Sequence, residues 1–423
     1  MNQESMLHYR NGQLHMEAVA LADIAESRDT PFYCYSRADI EHRVDLCKAA
    51  FGRIGATIHY AVKANGNLAV LDLMARAGLG ADIVSGGELQ RVLAAGIDPA
   101  QVIFSGVGKR QDELLAALRA GVGPFNVESL PELQQLATLC RDSGLRANVS
   151  IRVNPDVSAA THRHISTGVR GSKFGIPEEQ LETALRTTLD SEGLELRGLA
   201  LHIGSQITDA EPYRQACLKM RRWVEWYRPR GFAISHLDLG GGFGIDYGDG
   251  RVLDYREVAD LVHELLGDLG LQIAVEPGRS LVGPAGILVS RAIYRKESDQ
   301  IPFLILDAAM NDLLRPALYQ ASHELLPVTQ PADQQRVRCH VVGPVCESSD
   351  LFLRDAWLPP VAAGELVVLQ QAGAYGAVMA SAYNGRPLVA EVMVDGARFQ
   401  TVRESVSVQD MMARESVMGR FQG

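Results

Sequence analysis

From about residue 57 to 279 the chain repeats one pattern: a short β-rich run, a turn holding a polar residue, then an amphipathic stretch. The runs are TIHYAVKAN, GADIVSGGE, VIFSGVG, PFNVES, NVSIRVNP, LRGLALHIGS, SHLDLGGGFG and QIAVEPGR. Between them, residues 67–77, 87–95, 111–120, 131–142 and 178–189 carry Leu, Ala and Val at three- and four-residue intervals, which predicts helices. The stretch YRQACLKMRRWVEWY reads as a further helix whose aromatics serve the core or an interface. Strands separated by helices imply parallel crossovers, and eight of them match the count and size of a (β/α)8 TIM-like barrel. A doubly wound open sheet is the alternative and would usually have fewer strands.

After about residue 286 helical periodicity fades. ILVSRAIYR, PFLILDAAM, RVRCHVVGP, ELVVLQQAG and RPLVAEVMV predict an antiparallel β domain, a closed barrel or a sandwich. The opening HYRNGQLHM predicts a hairpin around Asn11-Gly12 that adds strands to that domain. The expected division is residues 36–285 for the barrel, with 1–35 and 286–423 for the β domain. The closing QDMMARESVMGR has no obvious core role and is expected to fray.

Composition narrows the function classes. The 423 residues are 47% hydrophobic and 22% charged, as in an ordinary globular protein, and no apolar run reaches the length of a membrane span. The N-terminus lacks the basic and apolar regions of a signal peptide, so a cytoplasmic protein is expected. A net charge of −10 without a long basic run argues against nucleic acid or an anionic membrane as partner, while a small anionic substrate needs only a few local cations. Six scattered cysteines, at 34, 47, 140, 217, 339 and 346, exclude a zinc ribbon and read as reduced, mostly buried thiols; no metal site is expected.

In such a barrel the chemistry sits at the C-terminal ends of the strands. The first run ends on Lys63 and Asn65, the second on Asp82 and Ser85, the fifth on Arg152 and Asn154. The sixth ends on His202 and Ser205, the seventh on Gly240 to Gly242, the eighth on Glu276, Gly278 and Arg279. Singly each has a plainer reading: a strand-end lysine is usually solvated, and a histidine usually structural. Together they suggest one crevice. Consecutive glycines let backbone N–H groups approach an anion, and the loops after strands seven and eight are the usual phosphate site of this barrel. A lysine facing a phosphate cradle suggests pyridoxal phosphate held as an imine, because a desolvated lysine is the right nucleophile for its aldehyde. Glu276 would then pair with the pyridinium nitrogen and His202 would lie against the ring.

HYAVKAN, HIGSQ, LGGGFGIDY, EPGR, GPVCESSD and GAYG, together with YRNGQLHMEAVAL and THRHISTGVRGSKFGI, resemble one family: the diaminopimelate decarboxylases, within the alanine-racemase-like fold type of pyridoxal phosphate enzymes. The likeness runs over nearly the whole chain. It implies that Lys63 forms the Schiff base, that Asp82, Ser205, Gly241, Gly242, Glu276, Gly278 and Arg279 belong to the cofactor site, and that His202 stacks on the ring. It implies cofactor and substrate contact for Tyr375, substrate-carboxylate contacts for Arg279, Arg315 and Tyr319, a proton-donor role for Cys346 and a substrate contact for Glu347. In the family Cys346 and Glu347 reach the site from the neighbouring subunit of a homodimer.

The residues support this chemistry. Decarboxylation leaves a carbanion that needs a proton, and a thiol with an ordinary pKa of about 8.5 is largely protonated near neutrality. Arginines suit the distal carboxylate of diaminopimelate and Glu347 its distal ammonium, whereas a plain diamine tail needs only carboxylates. The expected reaction is meso-2,6-diaminoheptanedioate to L-lysine and carbon dioxide. The alternative is a related decarboxylase acting on another amino acid or a carboxylated diamine. The stretch SAATHRHISTG is expected to shape the distal pocket.

Overall fold

The computed structural model describes residues 6–157, 168, 171–332 and 335–418. Two compact units emerge: Ile40–Val282, and Met1–Asp39 with Gly283–Gly423.

The central unit is a closed barrel of eight parallel strands. These are β1 Thr57–Ala61, β2 Gly80–Ile83, β3 Val102–Phe104, β4 Phe125–Val127, β5 Ala147–Arg152, β6 Leu194–Ala200, β7 His236–Asp238 and β8 Gln272–Val275. Each pairs with the next, and β8 returns to β1 through Ala274–Thr57 and Val275–Ile58. The strands β2, β3 and β4 are buried along their whole length, as parallel strands covered by helices must be.

The helices fall where the apolar spacing places them. Asn67 caps Leu68–Arg76 by accepting from Ala69 N–H at 2.9 Å, and that helix buries Val70, Leu71, Leu73 and Met74. Each fully buried side chain of this size contributes about 1.5–3 kcal/mol of transfer free energy. Ser85 and Ser129 cap Gly86–Ala94 and Leu130–Ser143 in the same way. Ser85, grouped from sequence with the crevice residues, is therefore a helix cap, its hydroxyl accepting from Glu88 N–H at 3.2 Å. In Glu211–Tyr227 the aromatics Tyr213, Trp223 and Tyr227 are buried while Trp226 is exposed.

The other unit carries the expected β domain as a branched, mostly antiparallel nine-stranded sheet. Its backbone is the long strand Gly286–Lys296. The first half runs between Phe32–Ser36 and Leu366–Leu369, and past a register shift at Ala292 the second half pairs with Phe303–Leu306. Two pairings are parallel rather than antiparallel: Phe303–Leu306 with Val337–Val342, and Phe32–Ser36 with Ala390–Asp395. Alternation of apolar and polar positions reports burial of a face and carries no information on strand direction, so sequence could not distinguish these.

The hairpin at Asn11-Gly12 forms, with both residues at positive φ, and pairs Leu7–Arg10 with Gln13–Met16. It builds a separate three-stranded sheet with Val19–Ala20, bridged to the rest of its unit at Gln13–Thr329 and buried against it through Leu14, Met16 and Val19. In the closing segment Val408–Met412 is a short helix with a Ser407/Asp410 capping box, so the expected fraying does not extend over this part. Of SAATHRHISTG, only Gly168 lies among the described residues.

Candidate active site

At the C-terminal ends of the barrel strands Lys63 meets Asp82, His202 meets the glycine loop and Arg279 meets Ser205. Lys63 follows β1 and its Nζ donates to Asp82 Oδ2 at 2.7 Å. Asp82 is fully buried, and its Oδ1 has no hydrogen-bond partner. Gly278 packs against Ala61 and Ala64, on either side of Lys63, leaving about the width of its hydrogen atoms: a Cβ there would sit 3.0 Å from both alanine Cβ atoms.

The loop after β7 closes on the loop after β8. A Cβ on Gly241 would fall 2.0 Å from Glu276 O, and Gly242 has φ +104°, a backbone conformation that other residues rarely adopt. Tyr213 on the helix Glu211–Tyr227 donates its hydroxyl to Gly241 O at 2.7 Å, and its ring stacks on Phe243 with centroids 5.4 Å apart. The aromatic that the sequence pattern placed in the core thus props up the glycine loop. Gly241 N–H donates to His202 Nδ1 at 3.2 Å. Burial, with Arg152 and Lys63 adding to it, pushes the His202 pKa well down. The ring is therefore neutral and, with Nδ1 accepting, carries its proton on Nε2.

Arg279 is buried, and its guanidinium is held at both ends: Nη1 donates to Tyr247 Oη and Nη2 to Ser205 Oγ, each at 2.8 Å. Glu276, also buried, has its carboxyl pushed well above the usual range, first by burial and then by Asp238 and Asp82, with Lys63 opposing. Its Oε1 has no partner. Arg152 is instead committed to Glu128, its Nη1 donating to Oε1 at 2.8 Å, and Asn154 donates to Ser172 and Phe174 O. These two strand-end residues support the loop beyond β5.

Three further residues were not singled out from sequence. Glu88 is pushed up to about 7, chiefly by burial and then by Asp82, against the Val84 N–H it accepts at 2.7 Å and the Lys63 charge. Asp238 ends β7 and is fully buried. Tyr247 lies over the Arg279 guanidinium. All stand in quoted runs, GADIVSGGE, SHLDLGGGFG and LGGGFGIDY. A carboxylate two residues before a glycine triplet, within an apolar strand, was the available signal for Asp238.

In the other unit Arg315 and Tyr319 open and close one short helix, Arg315–Tyr319. Arg315 is buried, close enough to Tyr33 to act on its hydroxyl electrostatically. Tyr375 sits at φ +55° directly before Gly376, where a Cβ would meet the Tyr33 ring at 2.8 Å. Cys346 is the exposed one of the six free cysteines, and the other five are buried. Its N–H donates to Asn384 Oδ1 at 2.9 Å, and Glu347 beside it is also exposed.

The barrel's donor set fits pyridoxal phosphate: an amine at Lys63, an unpartnered buried carboxyl oxygen on Glu276, and a glycine loop with no room for side chains. Residues 37–283 match the family described as pyridoxal-dependent decarboxylase, pyridoxal binding domain. The fold and site thus define a pyridoxal-dependent decarboxylase. Over the whole length the similarity narrows. The chain is 45% identical to a diaminopimelate decarboxylase of Pseudomonas aeruginosa, over 97% of this chain and 98% of that one, and 43% identical to one of Vibrio cholerae over 97% and 98%. Among solved structures, diaminopimelate decarboxylase from Helicobacter pylori complexed with L-lysine is 38% identical with TM-score 0.89, covering 93% of this chain and 98% of that one. The enzyme from M. jannaschii complexed with L-lysine is 32% identical with TM-score 0.92, covering 97% and 98%. The chain belongs to the diaminopimelate decarboxylase family.

Proposed function

We propose that this protein decarboxylates meso-2,6-diaminoheptanedioate to L-lysine and carbon dioxide, the last step of lysine biosynthesis. The observation that carries the reading is near-full-length similarity to decarboxylases of that name, including two solved with L-lysine, on a barrel whose own residues suit the cofactor.

Pyridoxal phosphate, when bound, supplies an aldehyde for amines and a ring that accepts the electrons left at Cα by loss of carbon dioxide. The protein's residues do the rest. Lys63 supplies the anchoring amine, and Asp82 beside it holds that amine in place. Glu276, whose Oε1 has no hydrogen-bond partner, would pair with the ring nitrogen and favour its protonated form. Neutral His202 offers a flat face to the ring without placing a positive charge beside it. The glycine loop at Gly241 and Gly242, with Gly278 and Ser205, would hold the phosphate, the Gly241 N–H itself donating to His202 Nδ1, and Arg279 fixes the Ser205 hydroxyl by donating to it. The barrel unit, Ile40–Val282, forms this cofactor unit.

In the β domain, Arg315 and Tyr319 bind a substrate carboxylate, Tyr375 contacts cofactor and substrate, Glu347 receives the distal ammonium, and Cys346 delivers the proton to Cα. The exposure of Cys346 and Glu347 fits residues that complete a neighbouring subunit's site, so the working form is a homodimer. Among the described residues no helix is long and apolar enough to cross a membrane, which accords with a cytoplasmic enzyme.

The test is a product assay with meso-diaminopimelate, lysine, ornithine and arginine, with and without added pyridoxal phosphate. L-lysine should form from diaminopimelate in a cofactor-dependent way. Carbon dioxide from another of these substrates, and none from diaminopimelate, would move the assignment to the related-decarboxylase reading.

A further inference from the structure

GPVCESSD, residues 343–350, joins the paired strands Val337–Val342 and Leu351–Leu358, and the functional reading above uses only its Cys346 and Glu347. Its last residue, Asp350, is buried, and its carboxylate spans two segments. Oδ2 accepts from Val345 N–H at 2.8 Å, directly before Cys346, and the Asp350 N–H donates to Glu347 O at 3.0 Å. The turn is thus gripped on either side of Cys346. Oδ1 accepts from Met310 N–H at 2.7 Å, in the turn that leads into the helix Arg315–Tyr319. That turn is closed on itself: Ala309 N–H donates to Asp312 Oδ2 and Asp312 N–H donates back to Ala309 O, each at 2.9 Å. The Tyr33 hydroxyl holds it from below Arg315 by donating to Asp312 O at 2.6 Å. The motif's first residue makes room for its last. A Cβ on Gly343 would fall 2.5 Å from Asp350 Oδ2 and 2.6 Å from Ala309 Cα, so a side chain there would wedge the carboxylate off the Met310 turn. Burial pushes the Asp350 carboxyl up, and the Met310 and Val345 N–H groups, with the Arg386 charge, oppose it.

We propose that Asp350 is a positioning residue for the reaction: one buried carboxylate sets the Cys346–Glu347 turn against the segment that leads to Arg315, fixing the proton donor and the carboxylate contact together. This rests on the reading of Cys346 as proton donor and Arg315 as substrate-carboxylate contact. Asp350 acts through the two amides it holds and moves no proton itself. Its effect is to remove slack, because a donor misplaced by about 1 Å can cost about 10²-fold in rate. Either hydrogen bond alone would leave one segment free to shift against the other.

The experiment compares the holoenzyme forms of wild type, Asp350→Asn, Cys346→Ala and the double variant, with folding checked by circular dichroism. Asparagine keeps the shape and offers a single acceptor oxygen, so one of the two amides loses its partner. Asp350→Asn should keep the wild-type cofactor absorption, lower kcat by about 10–10²-fold and raise KM for meso-diaminopimelate by about 3–10-fold. In the double variant kcat should match that of Cys346→Ala alone, since a turn without its donor has nothing left to misplace, while KM stays raised. A residue with a purely structural role would give kcat losses that multiply, as independent sites do, and that result overturns the proposal. So do wild-type kinetics in Asp350→Asn. Hydrogen exchange read by mass spectrometry tests the geometry without activity: Asp350→Ser, which removes the carboxylate without adding bulk, should speed exchange in the peptides that carry Met310 and Val345. Unchanged protection in either peptide also overturns the proposal. If Asp350→Asn does not fold, Asp350→Ser carries the kinetics as well. A wild-type kcat in Cys346→Ala would sink the donor reading instead, leaving the exchange to decide the positioning.

Discussion

The two halves of the candidate machinery are built differently. In the barrel, Lys63, Asp82, His202, Glu276 and Arg279 are held by partners from several strands, and buried polar oxygens on Asp82 and Glu276 await a ligand. In the β domain, Cys346 and Glu347 stand exposed on a turn whose backbone N–H groups are held by side chains, Val345 donating to Asp350 Oδ2 at 2.8 Å and Cys346 to Asn384 Oδ1 at 2.9 Å. Preorganised, desolvated groups suit a resident cofactor, whose binding must be tight and whose electronics must be tuned. Exposed groups suit a substrate that enters and leaves at every turnover.

The sharpest way to break this contrast is at its two nucleophilic atoms. Lys63→Ala should abolish measurable lysine formation and remove the visible absorption of the bound cofactor, read in one purified sample. Wild-type absorption in that variant would disprove the anchoring role. Cys346→Ala should lower kcat by about 10²–10⁴-fold, the usual worth of a positioned proton donor, while leaving the cofactor spectrum intact. Loss of the spectrum there would erase the division between the halves.

Smaller effects sharpen the same contrast. Glu347→Gln should raise KM for diaminopimelate, lowering kcat/KM by about 10–100-fold, since a charged hydrogen bond is worth about 1.5–3 kcal/mol. Cofactor affinity should not change, which a spectroscopic titration reads directly.

A last test reads stability in place of turnover, at Glu88, whose folded pKa of about 7 exceeds its ordinary value of 4.5. Between those values the folded state binds more protons than the unfolded one, so stability falls as pH rises through the window and is level above it. Over the whole interval the loss approaches about 3 kcal/mol. Denaturant unfolding of cofactor-free protein across that pH range should show this slope, and Glu88→Gln should flatten it. An unchanged slope would locate the titration elsewhere.

Much of the site was legible because barrel strands end where their chemistry begins. HYAVKAN, HIGSQ and EPGR each announce a strand, its stop and a polar group within a few residues, which is local information. Asp238 and Glu88 were harder. Inside SHLDLGGGFG or GADIVSGGE a carboxylate looks like any polar strand-end residue, and only burial against Glu276 or Asp82 raises its stake. Arg152 was read with the crevice residues: its place at a strand end is in the sequence, but its partner Glu128 lies 24 residues away, beyond the end of another strand.

The sequence by itself determined the periodicities, and through them eight strand-helix units, while its motifs carried the family resemblance and pointed to Lys63 as the cofactor amine. These depend on contacts between neighbours in the chain, which spacing encodes. Only the tertiary structure decided which strands of the β domain run parallel, that Tyr213 supports the glycine loop, and that Asp238 is buried with Gly240 and Asn126 as its partners. Those depend on which residues far apart in the chain come within hydrogen-bonding distance. They depend equally on the removal of water, which turns an ordinary carboxylate into a group that must be paired or protonated.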